Sequence, residues 1–356
     1  MALKKPARRK WKWTRQRRMA VAVGAVVLAA GVVVIKIWSD RYYISPPALQ
    51  QQTVKSGPEA VKIVAVGDLS CETDNPEYNE GVGTSTSCQA KATSDLALSL
   101  HPDLVLTIGD EQYRNGRLAQ FEDSYEKTWG RLKSITKPVP GNHEYGTFGA
   151  AGYFDYFGAV AGLPGAGYYS YNLGNWHIIA LNSSCKNIGG CEETSLEETW
   201  LRQDLAKDKQ KCTLAYWHQP RFSSGGHGSD KAYQAFWEDL QRHGADMVLS
   251  GHDHDYERFA PQDADGTADP KAPTEIVVGT GGESLTAFTS TRSNSVVRDN
   301  RDYGVLNLVL SKDSYSWQFI TTAGEVKDAG TKSCDAKPTG PLSPTPLPTP
   351  EATPSQ

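Results

Sequence analysis

Five segments of this 356-residue chain carry side chains that could hold metal ions: Gly67-Asp68, Gly109-Asp110-Glu111-Gln112-Tyr113, Gly141-Asn142-His143-Glu144, His218, and Gly251-His252-Asp253-His254. Each supplies a ligand type suited to a hard or borderline divalent or trivalent cation, and a neighbouring glycine lets the backbone turn sharply beside most of them. A cation held this way lowers the pKa of a bound water from about 15.7 toward about 7, which makes hydroxide available as a nucleophile. A second cation a few ångströms away would neutralise the oxygens of an anionic reaction centre. Taken singly, Gly-Asn-His-Glu or His-x-His is an ordinary loop composition. Five such segments in order carry far more information than any one.

The stretches before these segments are what must line them up. Short β-branched runs recur at 61–66, 104–108, 176–181, 213–217, 247–249, 275–278, 305–310 and 315–320, and they read as largely buried strands. Helical spacing lies between several of them, at 89–100, 196–206 and 232–243. The early part alternates strand and helix, whereas the last strands follow without long helices. This pattern predicts an α/β fold, a four-layer α/β sandwich of two facing mixed sheets flanked by helices. The polar segments fall at the carboxyl ends of the runs, where the loops of an α/β sheet converge on one point.

In type and order the five segments resemble the metallophosphoesterase (calcineurin-like) superfamily. The Gly109-Asp110-Glu111-Gln112-Tyr113 element is similar to the Gly-Asp-x-x-Tyr of its purple acid phosphatase branch. The resemblance covers about residues 62–258, and strand patterning extends it to about 320. It implies that Asp68, Asp110, Tyr113 and His254 ligate a first metal, and that Asp110 bridges to a second held also by Asn142, His218 and His252. His143, and His227 in the loop after His218, match positions that contact phosphate or protonate the leaving group. A tyrosinate at Tyr113 is a hard donor that favours Fe(III), with Fe, Zn or Mn as the second ion. The activity so implied is dimetal phosphoester hydrolysis, foremost of phosphomonoesters as in acid phosphatases, with a metal-bridging hydroxide as nucleophile and a phosphate ester as substrate. A phosphodiesterase or nucleotidase using the same site, and a catalytically silent surface-binding module, stand as alternatives. Three features depart from the family pattern. The first element reads Asp68-Leu69-Ser70 where tyrosine-type members commonly have Asp-x-Gly, the element usually written Val-x-x-His reads Ala215-Tyr216-Trp217-His218, and residues 39–60 are too few for the β-sandwich that precedes the catalytic domain of plant-type members.

Other suggestive residues carry plainer readings. His101, His177 and His243 have no ligand neighbours and read as surface or core. Glu111 and Asp253 lie between ligands at alternate positions and are expected to point away. Gly279-Thr280-Gly281-Gly282 reads as a tight strand-end turn rather than a phosphate cradle.

Charge and hydropathy divide the chain further. Residues 1–18 hold nine Lys and Arg and no acid, which leaves 28 basic against 41 acidic residues in the remainder. A body that acidic repels polyanions, so no nucleic-acid partner is expected. The uncharged stretch that follows, 19–38 apart from Lys36, spans about 26–30 Å as a helix and reads as a transmembrane signal anchor. Its basic flank puts the N-terminus in the cytoplasm and the rest on the extracytoplasmic side of the cell membrane, with secretion after cleavage as the alternative. Six cysteines suit an oxidising compartment. Cys71 with Cys88 and Cys185 with Cys191 bracket Gly-rich loops, which leaves Cys212 with Cys334 as the third expected bridge. The expected organisation is thus a cytoplasmic tail 1–18, the anchor 19–38, a linker 39–60, a catalytic domain 61–334, and a solvated Pro/Thr-rich tail 335–356. Oligomeric state is left open.

Overall fold

A computed structural model describes residues 60–338 and the two-residue strand Gln52–Thr53. The expected cytoplasmic tail and anchor, most of the linker, and the tail from 339 onward lie outside the described residues. Among the described residues no helix is long and apolar enough to cross a membrane.

Short, mostly apolar runs whose successive side chains turn to opposite faces build two mixed sheets. One sheet takes β2 (Ala60–Val66), β3 (Leu104–Ile108) and β4 (Thr136–Val139) side by side and parallel, and extends antiparallel from β2 through β12 (Gly304–Ser311), β13 (Ser314–Thr321) and β14 (Val326–Ser333). The other runs in the order β1 (Gln52–Thr53), β5 (Tyr169–Leu173), β6 (Trp176–Ala180), β7 (Cys212–Tyr216), β8 (Met247–Ser250), β10 (Thr274–Val278), β9 (Tyr256–Phe259) and β11 (Ser295–Asp299). Within it β6, β7, β8 and β10 are parallel neighbours. Strands of this second sheet are buried on both faces, as expected for continuous apolar runs. Ile178, Leu214, Leu249 and Ile276 turn to the core shared with Ile63, Val105 and Leu308 of the first sheet. Their chain neighbours Ile179, Ala215, Val248 and Val277 turn the other way. There they meet Trp200, Leu201 and Leu205 of the helix Leu196–Lys207 and Phe236, Trp237 and Leu240 of the helix Gln234–His243. The first sheet packs on its outer side against the helix Ala90–Ser99. Contacts across the sandwich are specific as well as apolar. Tyr256 stacks on Phe319 at 4.1 Å, Trp176 Nε1 donates to the Ser311 carbonyl at 2.7 Å, and the Tyr169 hydroxyl donates to the Pro138 carbonyl at 2.7 Å.

All eight sequence-expected strands and all three helices are present, with ends shifted by one or two residues. Strands not anticipated include the four at sheet edges. β4 reads Thr-Lys-Pro-Val, and its proline is tolerated because β4 has a neighbour on one side only. β14 reads Val-Lys-Asp-Ala-Gly-Thr-Lys-Ser and is mostly exposed, so burial imposed no apolar pattern on it. β11 is likewise a half-exposed edge. β1 lies inside the stretch expected as a linker and pairs parallel to β5.

The three disulfides are those expected: Cys71–Cys88, Cys185–Cys191 and Cys212–Cys334. The third joins β7 of one sheet to the residue after β14 of the other and closes 122 residues, against 6 for Cys185–Cys191. Chain entropy makes the longer closure the more stabilising. Replacing Cys212 and Cys334 by alanine is expected to cost about 2–3 kcal/mol more than replacing Cys185 and Cys191, read from denaturant unfolding of the oxidised proteins.

Candidate metal centre

Topology brings the five segments together. Gly67-Asp68, Gly109-Asp110 and Gly141-Asn142 follow β2, β3 and β4, adjacent parallel strands of one sheet. His218 and Gly251-His252 follow β7 and β8, parallel neighbours in the other. Backbone bonds close the rim between the sheets. Gly67 N–H donates to the Val278 carbonyl at 2.9 Å, and Gly281 N–H to the Gly67 carbonyl at 3.0 Å.

The ligand residues are held in demanding backbone conformations. Asp68, Asp110 and His252 have φ of 64°, 48° and 67°, in the left-handed region that costs a non-glycine residue on the order of 1–3 kcal/mol. Hydrogen bonds hold them there. His252 N–H donates to Asp68 Oδ2 at 2.8 Å, His143 N–H to Asp110 Oδ1 at 2.8 Å, and Asp110 N–H to Glu144 Oε2 at 3.0 Å. Two glycines are needed for space. A Cβ on Gly141 would lie 2.1 Å from Asp110 Oδ1, and one on Gly109 would lie 2.6 Å from His218 Nδ1.

Four of the expected ligands converge on one point. The Tyr113 hydroxyl lies 2.9 Å from Asp68 Oδ1, 3.1 Å from His254 Nε2 and 3.3 Å from Asp110 Oδ2, while His254 Nε2 is 3.3 Å from Asp68 Oδ1. Behind it, His254 Nδ1 faces Ser284 Oγ at 3.0 Å and Glu283 Oε2 at 3.4 Å, the outer carboxylate that commonly orients a metal-binding imidazole. A second group shares Asp110. Ligand atoms of Asp110, His218 and His252 all lie within 4.8 Å of one another. His218 donates its Nδ1 proton to the Ile108 carbonyl at 2.8 Å. Its Nε2 is buried without a hydrogen bond and stands 3.0 Å from Asp110 Oδ2. A buried ring nitrogen this close to a buried carboxylate oxygen calls for a positive charge between them, a proton or a metal cation. The donor set therefore fits two metal ions that share Asp110.

Electrostatics agree with this fit. Burial alone would pull His218 down, but the charges of Asp110 and Asp68 outweigh it and hold the imidazole up at about 9, so in the metal-free protein a proton stands in for the cation. Burial and the charge of His218 push His252 down to about 3, which keeps it neutral and ready to coordinate. Burial, then Asp68 and Asp110, hold the Tyr113 phenol well above its ordinary value, so a tyrosinate there requires a cation beside it.

The remaining expected residues surround this centre. His143 is half-buried, its Nδ1 bonded to the Arg114 carbonyl at 2.7 Å, its Nε2 3.8 Å from Asp110 Oδ2 and its ring 4.2 Å from that of Tyr113. Asn142 is exposed, on the turn between Gly141 and His143. His227 is exposed, with its ring 4.1 Å from that of His252. His177 and His243 lie apart, bonded to Asp204 and Asp208. The Gly279–Gly282 stretch is a strand-end turn, since the Gly279 and Gly281 N–H groups donate to the carbonyls of Asp255 and Gly67 at 3.0 Å each. A cavity of about 540 Å³ lined by Ala60, Trp176 and Leu310 opens at the opposite end of β2 and shares none of these residues.

Sequence reasoning assigned no role to the carboxylates that support the ligands. Glu144 accepts from the backbones of Asp110, Gln112 and Gly141. Glu275 accepts from Arg221 and Phe222, just beyond His218. The only sequence signal was position, Glu144 beside a ligand segment and Glu275 as an acid inside an apolar run.

A profile of calcineurin-like phosphoesterases matches residues 61–256. The chain belongs to this family. It is 30% identical over 218 residues to purple acid phosphatase 15 of Arabidopsis thaliana, which covers 51% of this chain and 40% of the relative. It is 26% identical over 337 residues to a nucleotide pyrophosphatase/phosphodiesterase of Hordeum vulgare, covering 83% and 88%. A purple acid phosphatase from yellow lupin has the same fold, with a TM-score of 0.66 at 20% identity over 78% of this chain and 54% of its own. The chain spans less than half the length of the Arabidopsis relative. The chain is thus a member of the calcineurin-like phosphoesterases that is similar in sequence and in fold to purple acid phosphatases.

Burial pushes the Glu275 carboxyl from an ordinary 4.5 up to about 8. Between those values the folded chain holds a proton that the unfolded chain has released, so stability falls as pH rises through the window. Glu275→Gln is expected to flatten that decline, read as the unfolding midpoint in denaturant measured across pH 4.5 to 8.

Proposed function

We propose that this protein hydrolyses phosphate esters, foremost phosphomonoesters, with one metal ion held by Asp68, Asp110, Tyr113 and His254 and a second by Asp110, Asn142, His218 and His252. The observation that carries the reading is His218 Nε2, buried without a hydrogen bond and facing Asp110 Oδ2 at 3.0 Å. When bound, the two ions supply an activated water and neutralise the phosphate oxygens as charge moves to the leaving group. The chain's own groups do the rest. Asp110 spans both ligand groups and fixes their separation. His143, its Nδ1 tied to Arg114, presents Nε2 toward the centre to hydrogen-bond a phosphate oxygen. His227, on the open side beside His252, protonates the leaving oxygen as the P–O bond breaks. Tyr113, seated against two carboxylates, is a hard donor that favours Fe(III), with Fe, Zn or Mn as its partner ion.

A diester or nucleotide substrate is the second reading. It is favoured by the barley relative, described as a nucleotide pyrophosphatase/phosphodiesterase, of which the chain covers most of the length. Three disulfides favour an oxidising compartment, and with the apolar stretch 19–38 they support a membrane-anchored catalytic body on the extracytoplasmic side.

The test uses the full chain. Bound metals and the visible spectrum are determined, and phosphate release from a monoester is compared with hydrolysis of the bis-ester of the same chromophore. Two metals including iron, a tyrosinate charge-transfer band that Tyr113→Phe removes, faster monoester turnover and no turnover in Asp110→Asn are expected. Bis-ester preference would turn the reading to a phosphodiesterase. Full metal occupancy without any turnover would replace it by a binding role.

A further inference from the structure

The loop after His218 reads Ser223-Ser224-Gly225-Gly226-His227-Gly228, with three glycines among the four residues 225–228. Such a glycine-rich stretch has much backbone freedom to lose, so it cannot hold a histidine in place by itself. The restraint comes from outside the loop. The carboxylate of Asp253, fully buried, sits inside the turn and accepts from the His227 N–H at 2.7 Å through Oδ1, and from the Gly228 N–H at 3.0 Å and the Ser223 hydroxyl through Oδ2. The wrap is so close that a Cβ on Gly225 would lie 2.3 Å from Asp253 Cγ. Asp253 is also the residue between His252 and His254. One residue thus joins two ligands of the metal centre to the loop whose His227 ring lies 4.1 Å from that of His252.

We propose that Asp253 is a positioning residue that sets His227 for proton delivery to the leaving group, an inference that rests on the phosphoesterase reading and on the role given there to His227. Hydrogen bonds to a carboxylate are shorter and roughly twice as strong as neutral ones, and three on one carboxylate define the loop's position relative to the His252-His254 turn. In the reaction, water adds to phosphorus and releases a proton to solvent, the ester P–O bond breaks, and its electron pair stays on the alkoxide oxygen. That oxygen takes the His227 proton to leave as the alcohol, and solvent reprotonates the imidazole. Misplacement by about 1 Å can cost a hundredfold, and the loss falls on esters whose leaving group needs the proton.

The experiment compares an alkyl phosphate, whose leaving alkoxide needs the proton, with 2,4-dinitrophenyl phosphate, whose leaving group needs little help. Asp253→Asn in the metal-loaded full chain is expected to lower kcat on the alkyl ester about tenfold or more and on the dinitrophenyl ester by less than about threefold, with KM and metal content retained. His227→Ala is expected to give the same split more steeply, and the double variant to be no worse than His227→Ala. Ser223→Ala, which removes one donor to the carboxylate and leaves 252–254 untouched, should give the split in weaker form and serves if Asp253→Asn does not fold. Equal losses on both esters, loss of metal in Asp253→Asn, or additivity in the double variant would overturn the proposal. A steep split in His227→Ala with none in the Asp253 and Ser223 variants overturns the role of Asp253 alone. No split in His227→Ala overturns the role of His227, and this inference with it.

Discussion

Two aspartates buried side by side, Asp68 and Asp110, are the constraint around which the rest of the structure is arranged. Like charges taken out of water are costly unless cations and hydrogen-bond donors surround them. Here the donors are backbone N–H groups of His252 and His143, which stand on different sheets, and the positive charge comes from His218 and His254 until metal replaces the protons. Because each aspartate takes part of its compensation from across the sandwich, neither sheet could hold the centre alone. The same requirement accounts for the left-handed backbone at Asp68, Asp110 and His252, which the surrounding bonds enforce.

A shell of further acids aims the first. Glu144 gathers the turns after β3 and β4, Glu283 sits behind His254, Glu275 fixes the chain beyond His218, and Asp253 fills the turn that carries His227. Buried carboxylates that each accept two or three bonds are rigid supports, and they are why ligands from loops hold positions as defined as those on strands. Rigidity is uneven. The centre itself is buried, while Asn142 and His227 stand exposed, the arrangement expected where a fixed metal site meets an incoming ester.

Legibility in the sequence followed the strength of each physical signal. Buried strands such as β3 and β7 need apolar residues on both faces and announced themselves. The edge strands β4, β11 and β14 have one neighbour and partial exposure, so proline, lysine and aspartate are tolerated and no pattern marks them. The residues proposed as metal ligands were legible because their types are rare beside glycine at strand ends and their order is restrictive. The supporting acids were not, because a glutamate in a loop or strand looks the same whether it faces water or accepts three backbone bonds. Asp253 illustrates the point: its alternate position turned its carboxylate to the 223–228 loop, but nothing local showed that a loop some 30 residues earlier would wrap around it.

The sequence by itself determined which metal-competent side chains are present, their order, and the alternation of strand and helix, because these rest on residue type and local spacing. Only the tertiary structure decided that β2, β3 and β4 would aim at the ends of β7 and β8, that Cys212 would pair with Cys334, that Tyr113 would reach Asp68 and His254 together, and that His218 Nε2 would face Asp110. Those facts depend on sheet order and on how two sheets pack, which are properties of long-range contacts that no local stretch of chain encodes.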